Sequence, residues 1–518
     1  MLCLAAALCC ACGGAAPPGD TRWWRGKTAY EIYVRSFADS NGDGIGDLQG
    51  LTAKLDSLND GDPATTSDLG IDAIWLMPIS PSPSDHGYDV TDYRGINPQY
   101  GTLADFDTLV RAAHRRGIKV LFDMVLNHSS DRHPWFVNAQ TSPSALYRDW
   151  YVWSSTDLRW HKPWSPADPW VPSGNAFYYA LFCGCMPDLN LRNPAVEQEL
   201  IDTMKLWVSR GVDGFRLDAV RYYYESPQGD LADQPETHAL LRRLRTALPQ
   251  TLLVGEAWTN ESTVASYYGQ GDELQLAFSF DLASAIARSL VDADATSLIN
   301  TLAISERVLA NDRGFEAPFL SNHDQQRIMR DLAGDKAAMR VAAATLFAVP
   351  GTPFIYYGEE LGMQGGAWND DSAKRTAFRW NATAPAYGFG SAEPRIAADE
   401  APGVDLASQQ KDPASIWSLY RDLIALRHRW PALADGDATR PGVTGGGTGV
   451  VAILRRAGDA RVLFVANYGT VDSGPFSVAL SGTPFGLLSS GFVATPSQSG
   501  GQLSLAALPP RSFAFFSL

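Results

Sequence analysis

The chain has 518 residues and a formal net charge of −15; 45% of its residues are hydrophobic and 19% are charged. This composition is that of a soluble protein with a large core, and it excludes disordered, collagen-like and coiled-coil chains. The acidic excess also excludes nucleic acid as an expected partner, because phosphate backbones repel a surface of the same sign. Aromatic residues make up 11% of the chain, with 15 tryptophans, which suits either core packing or flat ligand platforms.

The first 21 residues are predicted to be an export segment. Their apolar run, from Leu2 to Ala11, is too short to span a membrane but has the length of a signal-peptide core. The Cys-rich and Gly-rich stretch that follows resembles a bacterial lipoprotein signal, in which Cys12 would carry the lipid. We therefore expect an exported protein that is secreted, periplasmic or tethered to a membrane through Cys12. The alternative is an unprocessed terminus.

Eight short segments rich in β-branched or aromatic residues follow, separated by amphipathic segments. Strands are predicted at Ala29–Phe37, Ala73–Met77, Lys119–Met124, Gly214–Leu217, Leu252–Val254, Leu276–Phe280, Ala317–Leu320 and Phe354–Tyr357. The helices predicted between them include Leu103–Arg116, Pro194–Arg210 and Ala338–Phe347. Eight successive strand–helix units predict an α/β fold, a parallel (β/α)8 TIM barrel.

Two departures from this alternation predict further units. About ninety residues rich in Trp, Tyr and Pro separate the third and fourth strands, which predicts a subdomain inserted at about 129–193. After Pro431 the sequence changes to Gly-rich turns and alternating strands, typical of an antiparallel β-sandwich. The predicted organisation is an export segment at 1–21, a barrel domain at 22–435 and a β-domain at 436–518, in a monomer.

A Gly-rich loop after the first predicted strand carries oxygen-bearing side chains at alternate positions. In the spacing by which an EF-hand loop surrounds Ca²⁺, positions 1, 3, 5, 7 and 9 are occupied by Asp39, Asn41, Asp43, the Ile45 carbonyl and Asp47. Gly44 lies at position 6, as in an EF-hand, but Gly50 replaces the bidentate glutamate at position 12. We predict a structural Ca²⁺ site, and the alternative is an acidic turn.

Ionisable residues follow almost every predicted strand at its carboxyl end, where parallel barrels place their active sites. They are Asp123 and His128 after the third strand, Arg216 and Asp218 at the fourth, Glu256 at the fifth, His323 and Asp324 at the seventh, and Asp85, His86, Tyr88 and Asp89 in the second loop. Any one of them alone is explained as a helix cap or a loop charge. Three carboxylates with an arginine and two histidines at one barrel mouth predict a catalytic site instead.

Four of these segments resemble, in order and spacing, the signature regions of the α-amylase family of glycoside hydrolases: DMVLNH at 123–128, GFRLDAV at 214–220, GEAW at 255–258 and FLSNHD at 319–324. MPDLN at 186–190 resembles the fifth region in the form found in an intermediary subfamily of secreted α-amylases, between oligo-1,6-glucosidases and neopullulanases. The resemblance covers about residues 27 to 430. It implies a catalytic (β/α)8 barrel with subdomain B, a C-terminal β-domain and an α-glucan substrate such as starch or maltooligosaccharides.

The resemblance also implies the chemistry of a retaining glycosidase, which needs one ionised and one protonated carboxyl group about 5 Å apart. Asp218 matches the nucleophile, Glu256 the acid/base and Asp324 the carboxylate that stabilises the transition state. Arg216 lies two residues before Asp218, on the same side of the strand, where its charge keeps that carboxylate ionised. The apolar strand before Glu256 favours its protonated form. Substrate contacts are implied for Tyr88, His128 and His323.

The residues around this implied site leave the mode of action open. Ala219-Val220 after the nucleophile and His86 in a short second loop resemble members that cleave α-1,4 bonds internally. Asp85 and Arg375 instead coincide with an Asp/Arg pair by which exo-acting α-glucosidases hold a terminal glucose. We predict endo-hydrolysis of α-1,4-glucans; the alternative is an exo-acting glucosidase or a transglycosylase such as trehalose synthase. A non-catalytic amylase-like module is a remote alternative, because all three carboxylates are present.

The cysteines and tryptophans of the inserted region have less specific interpretations. Cys183 and Cys185 are predicted to pack at the cleft wall without bonding, because a disulfide across one residue is strained. Many α-amylases hold a further Ca²⁺ through the residue matching Asn127, but Tyr222 stands where they commonly place a histidine, which argues against a second ion here. The sequence does not divide the subdomain tryptophans between core and cleft; these are Trp150, Trp153, Trp160, Trp164 and Trp170.

Overall fold

Eight parallel strands form the centre of the computed structural model, which describes residues 22–308, 315–397, 399–492 and 495–518. We number them β1 (Ala29–Ile32), β2 (Ala73–Leu76), β3 (Lys119–Met124), β4 (Gly214–Leu217), β5 (Leu252–Gly255), β6 (Leu276–Phe278), β7 (Phe315–Ala317) and β8 (Phe354–Tyr356). Each strand pairs with the next from β1 to β7, and β1 also pairs with β8. The backbone N–H groups of Thr352 and Phe354 donate to the carbonyls of Glu316 and Pro318 at 2.9 Å, which closes the barrel between β7 and β8. The predicted (β/α)8 barrel is confirmed.

Two predicted strands differ from the observed strands by more than two residues at one end. β1 ends at Ile32, because the chain turns there into a short 3₁₀ helix at Val34–Ser36. β7 lies at Phe315–Ala317 rather than at Ala317–Leu320. Pro318 has no N–H to donate to a neighbouring strand, so the ladder stops at the residue before it.

The barrel interior and the helical layer bury separate apolar clusters. Inside the barrel, Trp75, Leu121, Val254, Phe278 and Phe354 belong to one cluster. The outward-facing strand residues belong to a larger cluster with residues of the helices. These helices lie at Leu48–Leu58, Leu103–Arg115, Pro194–Ser209, Pro235–Ala247, Glu261–Val264, Phe280–Val291, Thr296–Val308, Ile328–Asp331, Lys336–Ala348, Leu406–Gln409, Ile416–Arg429 and Pro431–Asp435. Within the described residues, no helix is both long and apolar enough to cross a membrane.

The segment between β3 and β4 contains its own small sheet. Three antiparallel strands lie at Trp153–Ser154, Trp170–Ser173 and Ala176–Tyr179, and a short helix precedes them at Pro134–Ala139. An isolated bridge between His128 and Asp188 joins this segment to the residues directly after β3, and a second bridge, between Tyr151 and Leu189, lies within the segment. It therefore forms one wall beside the carboxyl ends of the barrel strands.

Two antiparallel sheets make up the C-terminal part of the chain. One contains Asp437–Thr439, Val450–Ala457, Ala460–Asn467, Phe485–Ser489 and Ser512–Ser517, and the other contains Val443–Gly445, Phe476–Val478, Ser497–Ser499 and Gln502–Leu505. Alternate residues of the first sheet face opposite sides, as strand geometry requires. Val450 and Ala452 pack between the sheets, whereas Val451 and Ile453 join the core of the barrel.

Candidate active site

Arg216 on β4 contacts three carboxyl groups from neighbouring barrel strands. Its Nη1 lies 2.9 Å from Asp123 Oδ1 and 2.6 Å from Asp218 Oδ1, and its Nη2 lies 2.8 Å from Glu256 Oε2. The β3–β4 register places Asp123 opposite Arg216, and Glu256 directly follows β5. Because one buried positive charge faces three carboxyl groups, ionising all three would leave uncompensated negative charge in a site of low polarity.

Burial favours the protonated form of Glu256 in this cluster. Burial raises the pKa of Glu256 to about 7, and the negative charges of Asp218 and Asp324 add to the effect although Arg216 opposes it. The backbone N–H of Ala219 also donates to Glu256 Oε2 at 2.9 Å. Ala219 adopts a left-handed conformation, with φ of 50°, which is costly for a residue other than glycine and aims that N–H at Glu256. The site thus places a protonated acid beside the ion-paired Asp218.

Asp324 is held ionised by two cations. His323 Nε2 lies 3.1 Å from Asp324 Oδ2, and Arg375 Nη2 donates to Asp324 Oδ1 at 3.1 Å. Burial lowers the pKa of His323, but the carboxylates of Asp324 and Glu31 outweigh burial and raise it to about 9. Burial acts on Asp324 too, yet the charges of His323 and Arg375 hold its pKa well below the usual range. His323 is therefore a buried imidazolium that supports Asp324 from behind.

These groups meet at a cleft of about 600 Å³ at the carboxyl ends of the barrel strands. It is lined by His86, Tyr88, His128, Trp164, Phe182, Met186, Asp218, Ala219, Tyr222, Glu256, Trp258, Asp324, Asp371 and Arg375. His128 is buried, and its Nε2 has no hydrogen-bond partner among the described residues. Burial lowers the pKa of His128, which favours the neutral ring in this wall of the cleft.

The chain is similar in sequence and in structure to known proteins. Residues 31–436 match the family model for the alpha-amylase catalytic domain. Alpha-amylase 3 of Dictyoglomus thermophilum is 37% identical over 463 residues, covering 87% of this chain and 86% of that protein. The crystal structure of an alpha-amylase from H. orenii, also 37% identical, matches with a TM-score of 0.83 and covers 95% of this chain and 99% of that one. The trehalose synthase/amylase of Mycolicibacterium smegmatis is 34% identical and covers 85% of this chain and 81% of that protein.

The chain belongs to the α-amylase family of glycoside hydrolases. The family predicted from the signature regions is confirmed, and with it the barrel and the C-terminal β-structure. The names of these relatives include an amylase and a trehalose synthase, so membership of the α-amylase family leaves the mode of cleavage open.

The structure separates the nine residues predicted for catalysis and substrate contact into three groups. Six line the cleft: Tyr88, His128, Asp218, Glu256, Asp324 and Arg375. Arg216 and His323 lie behind them, almost without exposure, and orient the carboxylates. In this structure the Nε2 of His323 contacts Asp324 and Tyr88, and the contact with a sugar that the resemblance implies stays a prediction.

Asp85 is the one predicted substrate residue that neither lines the cleft nor forms an ion pair with a residue that does. Its side chain is 76% exposed and lies 3.3 Å from Arg35 Nη2, while Arg375 pairs with Asp324 and lies 3.8 Å from Asp371. The hydroxyl of Tyr33 donates to the Asp85 carbonyl at 2.5 Å and fixes the backbone in this position. Asp85 and Arg375, which match the Asp/Arg pair of exo-acting α-glucosidases, are thus each ion-paired with another residue in this structure.

Three buried residues support the site but are not among the nine residues predicted for catalysis and substrate contact; they are Glu31, Trp75 and Asp123. Glu31 Oε1 lies 2.6 Å from His323 Nδ1. Trp75 Nε1 donates to Asp123 Oδ2 at 3.2 Å, and the hydroxyl of Tyr88 donates to the same oxygen at 3.1 Å. The signal for Glu31 was a lone acidic residue inside an otherwise apolar predicted strand, since a buried carboxylate requires a partner.

Cys183 and Cys185 are joined by a disulfide, so the prediction of unbonded packing is wrong. Their Cα atoms are 5.1 Å apart, within the usual range of about 4.4–6.8 Å for disulfides. The loop between them is fixed on both sides: the hydroxyl of Tyr178 donates to the Gly184 carbonyl at 2.7 Å, and the Asp131 N–H donates to the Cys185 carbonyl at 2.9 Å. The disulfide lies between Phe182 and Met186, two residues of the cleft wall.

The predicted calcium loop has turns like those of an EF-hand, but in the described structure its acidic side chains do not converge on one point. Asp39 Oδ2 accepts from the Gly44 N–H at 2.9 Å, and Gly44 takes the left-handed conformation, with φ of 82°. A Cβ at Gly50 would lie 2.2 Å from the Ala38 carbonyl oxygen, so no side chain can be accommodated at position 12. Across the described part of the chain, no three His, Cys, Asp or Glu side chains are placed to hold a metal. Asn41 and the Ile45 carbonyl complete the oxygen set that a hard cation would use.

Proposed function

We propose that this α-amylase family protein hydrolyses internal α-1,4-glucosidic bonds of starch, glycogen and maltooligosaccharides with retention of configuration. The proposal rests chiefly on one observation: Asp218 and Glu256 contact the same guanidinium, and burial raises the pKa of Glu256 to about 7. An ionised nucleophile next to a protonated acid is the pair that a retaining glycosidase requires.

In the first step, Asp218 attacks the anomeric carbon while Glu256 donates its proton to the leaving glycosidic oxygen. The products are a glycosyl ester on Asp218 and a shortened glucan. In the second step, Glu256 removes a proton from water, the water oxygen attacks the anomeric carbon, and the Asp218 carboxylate is released. Asp324, held ionised by His323 and Arg375, stabilises the positive charge that develops on the sugar ring in both steps.

The environment of Asp85 favours internal cleavage over exo action. An Asp/Arg pair that grips a terminal glucose would close one end of the cleft, but Asp85 pairs with Arg35, and Arg375 pairs with Asp324. Without that grip on a terminal glucose, binding does not require a free chain end.

A maltoheptaose blocked at its non-reducing end tests the endo proposal. We expect the enzyme to cleave it into mixed maltooligosaccharides at a rate similar to that for unblocked maltoheptaose, because binding does not require a free chain end. Product chromatography over the first few per cent of conversion gives the answer. Release of glucose alone from unblocked substrate, with the blocked substrate intact, would establish exo action and contradict the proposal.

We also propose that the loop from Asp39 to Asp47 holds a structural Ca²⁺ through Asp39, Asn41, Asp43, the Ile45 carbonyl and Asp47. The ion would neutralise these carboxylates and fix the loop between β1 and the helix at Leu48–Leu58. We expect a calcium chelator to lower the melting temperature by several degrees, since a ligand that binds only the folded state stabilises it. An unchanged melting temperature, with no calcium found by elemental analysis, would exclude the site. Asp43→Ala should remove most of the chelator effect.

A further inference from the structure

Glu31 on β1 is a carboxyl group inside the barrel. Ala29, two residues earlier on the same strand, belongs to the apolar cluster of the barrel interior, and so does Trp75, which pairs with Glu31 across β1 and β2. Tyr30, between Ala29 and Glu31, packs in the outer cluster, as the alternation of a strand requires. Glu31 is only 2% exposed. An ionised carboxylate at such a position needs a close partner that carries positive charge.

The partner of Glu31 is His323, and the contacts of the His323 ring indicate that it carries two protons. Its Nδ1 lies 2.6 Å from Glu31 Oε1, and its Nε2 lies 2.6 Å from the Tyr88 hydroxyl oxygen and 3.1 Å from Asp324 Oδ2. The Tyr88 hydroxyl donates its own proton to Asp123 at 3.1 Å, so its oxygen accepts from Nε2. A carboxylate can only accept. Both ring nitrogens therefore face acceptors, which is the arrangement of an imidazolium.

Glu31 and Asp324 contact different nitrogens of His323, and only Glu31 is shielded from the cleft. The side chain of Glu31 is 3% exposed, whereas that of Asp324 is 33% exposed and lines the cleft. A ligand in the cleft can therefore engage Asp324 without displacing Glu31. Glu31 is thus the carboxylate that can hold positive charge on His323 both before and after a substrate binds.

Charged or titratable groups reach this pair from every surrounding element. They are Tyr88 from the loop after β2, Asp123 from β3, Arg216 from β4 through Tyr88, Asp324 beside His323, Tyr356 of β8 beside Glu31, and Arg375, whose Nε donates to the His323 carbonyl at 3.0 Å. Burial lowers the pKa of His323, but the negative charges of Asp324 and Glu31 raise it to about 9. Removing the charge of Glu31 should therefore lower this pKa.

We propose that Glu31 is a positioning residue for glucan cleavage: it keeps both ring nitrogens of His323 protonated, so that Asp324 stays ionised and fixed beside the reacting sugar. The inference rests on the proposed function and adds to it a residue that does not line the cleft. Glu31→Gln keeps the shape of the side chain but removes its charge. The His323 ring should then lose its second proton at lower pH, and a neutral ring no longer forms an ion pair with Asp324.

The kinetic test uses α-maltosyl fluoride, because fluoride leaves without a proton and kcat/KM then does not require protonated Glu256. For the wild-type enzyme we expect kcat/KM to stay nearly constant from about pH 5.5 to about pH 8, the range around the pKa of an unperturbed histidine. For Glu31→Gln it should lie within about threefold of wild type at the acid end. At the alkaline end it should be about tenfold lower, as the loss of one hydrogen bond to a charged group predicts.

A second measurement reads the charge of His323 without any substrate. In protein labelled with ¹³C at histidine Cε1, each of the eight histidines gives one NMR signal, and His323→Asn assigns the signal of His323. We expect the signal of an imidazolium in the wild-type protein at the alkaline end of the pH range. In Glu31→Gln the signal should shift to that of the neutral ring at the same pH.

Two further variants complete the experiment. Glu31→Asp keeps the negative charge and should retain the wild-type pH dependence, even where its shorter side chain lowers the rate at every pH. Glu360→Gln removes another buried carboxyl group, which accepts from the Tyr30 hydroxyl at 2.7 Å on the outer side of β1. It should change neither the pH dependence nor the signal of His323.

Three results would overturn the proposal: a neutral His323 ring in the wild-type protein at the alkaline end, a rate for Glu31→Gln that is unchanged or lowered equally at every pH, or the same pH shift in Glu360→Gln. The last result would mean that the loss of any buried carboxyl group has this effect. Absence of glucan hydrolysis in the wild-type enzyme, with the His323 signal responding to Glu31→Gln as expected, would instead overturn the proposed function. The two failures are therefore distinguishable.

Discussion

Replacing Asp218 with asparagine should lower kcat for maltoheptaose by about four orders of magnitude or more, the scale seen when a catalytic nucleophile is removed. The amide has nearly the same shape but cannot form the glycosyl ester. Arg216 Nη1, now 2.6 Å from Asp218 Oδ1, would keep a hydrogen bond to the amide oxygen, so the fold and the cleft should persist. Initial rates of reducing-sugar release, together with the melting temperature, measure both effects.

Asp371→Asn is the matched control for this variant. Asp371 lines the same cleft, but its side chain is 65% exposed, and it pairs with Lys374 at the rim. Its loss of charge should cost less than tenfold in kcat, as expected for an exposed ion pair. An Asp218→Asn protein that retains more than a tenth of the wild-type rate would remove Asp218 from the mechanism.

Replacing Glu256 with glutamine should lower kcat on maltoheptaose by about 10²–10⁴-fold, the usual contribution of a general acid–base group. Fluoride leaves without a proton, so α-maltosyl fluoride should still form the glycosyl ester on Asp218 in this variant. The ester should then accumulate, because no base activates water. Added azide, which needs no base, should restore turnover and give a glycosyl azide. Failure of azide to accelerate turnover would argue against Glu256 as the acid/base.

The ionisation of Glu256 should determine how the activity of the wild-type enzyme depends on pH. Burial raises the pKa of Glu256 to about 7, so the acid is protonated below that pH and loses its proton above it. We therefore expect kcat/KM for maltoheptaose to fall as the pH rises through about 7. For Glu256→Gln this alkaline decline should disappear, and its persistence would assign it to another group.

The fold could be predicted largely from local pattern. Each barrel strand is a short apolar run between helical segments, so six of the eight were predicted within two residues of their observed bounds at both ends. Of the other two, β1 turns into a 3₁₀ helix shortly after Ile32. In β7 the apolar residues Phe319 and Leu320 lie beyond Pro318, where the chain can be buried but cannot continue the ladder. The hydrophobic pattern predicts which residues are buried. The strand ends at Ala317 because Pro318 has no N–H to donate.

The site residues were predictable because barrel topology brings the ends of different strands together. Asp218, Glu256 and Asp324 are far apart in sequence but share one cleft. Contacts that depend on loop conformation were not predictable in this way. The Asp85 side chain pairs with Arg35, and the Asp85 carbonyl accepts a hydrogen bond from the Tyr33 hydroxyl. The Cys183–Cys185 disulfide depends on the conformation of the chain at Gly184. Neither feature has a periodic signal in the sequence.

We propose that Asp218 and Glu256 act together in a two-step displacement with retention. The most direct measurement is proton NMR of the blocked maltoheptaose reaction during the first minutes, before the products mutarotate. Two successive inversions at the anomeric carbon predict that the new reducing ends appear as the α-anomer and only later equilibrate. Initial appearance of the β-anomer would mean a single displacement by water and would contradict the account.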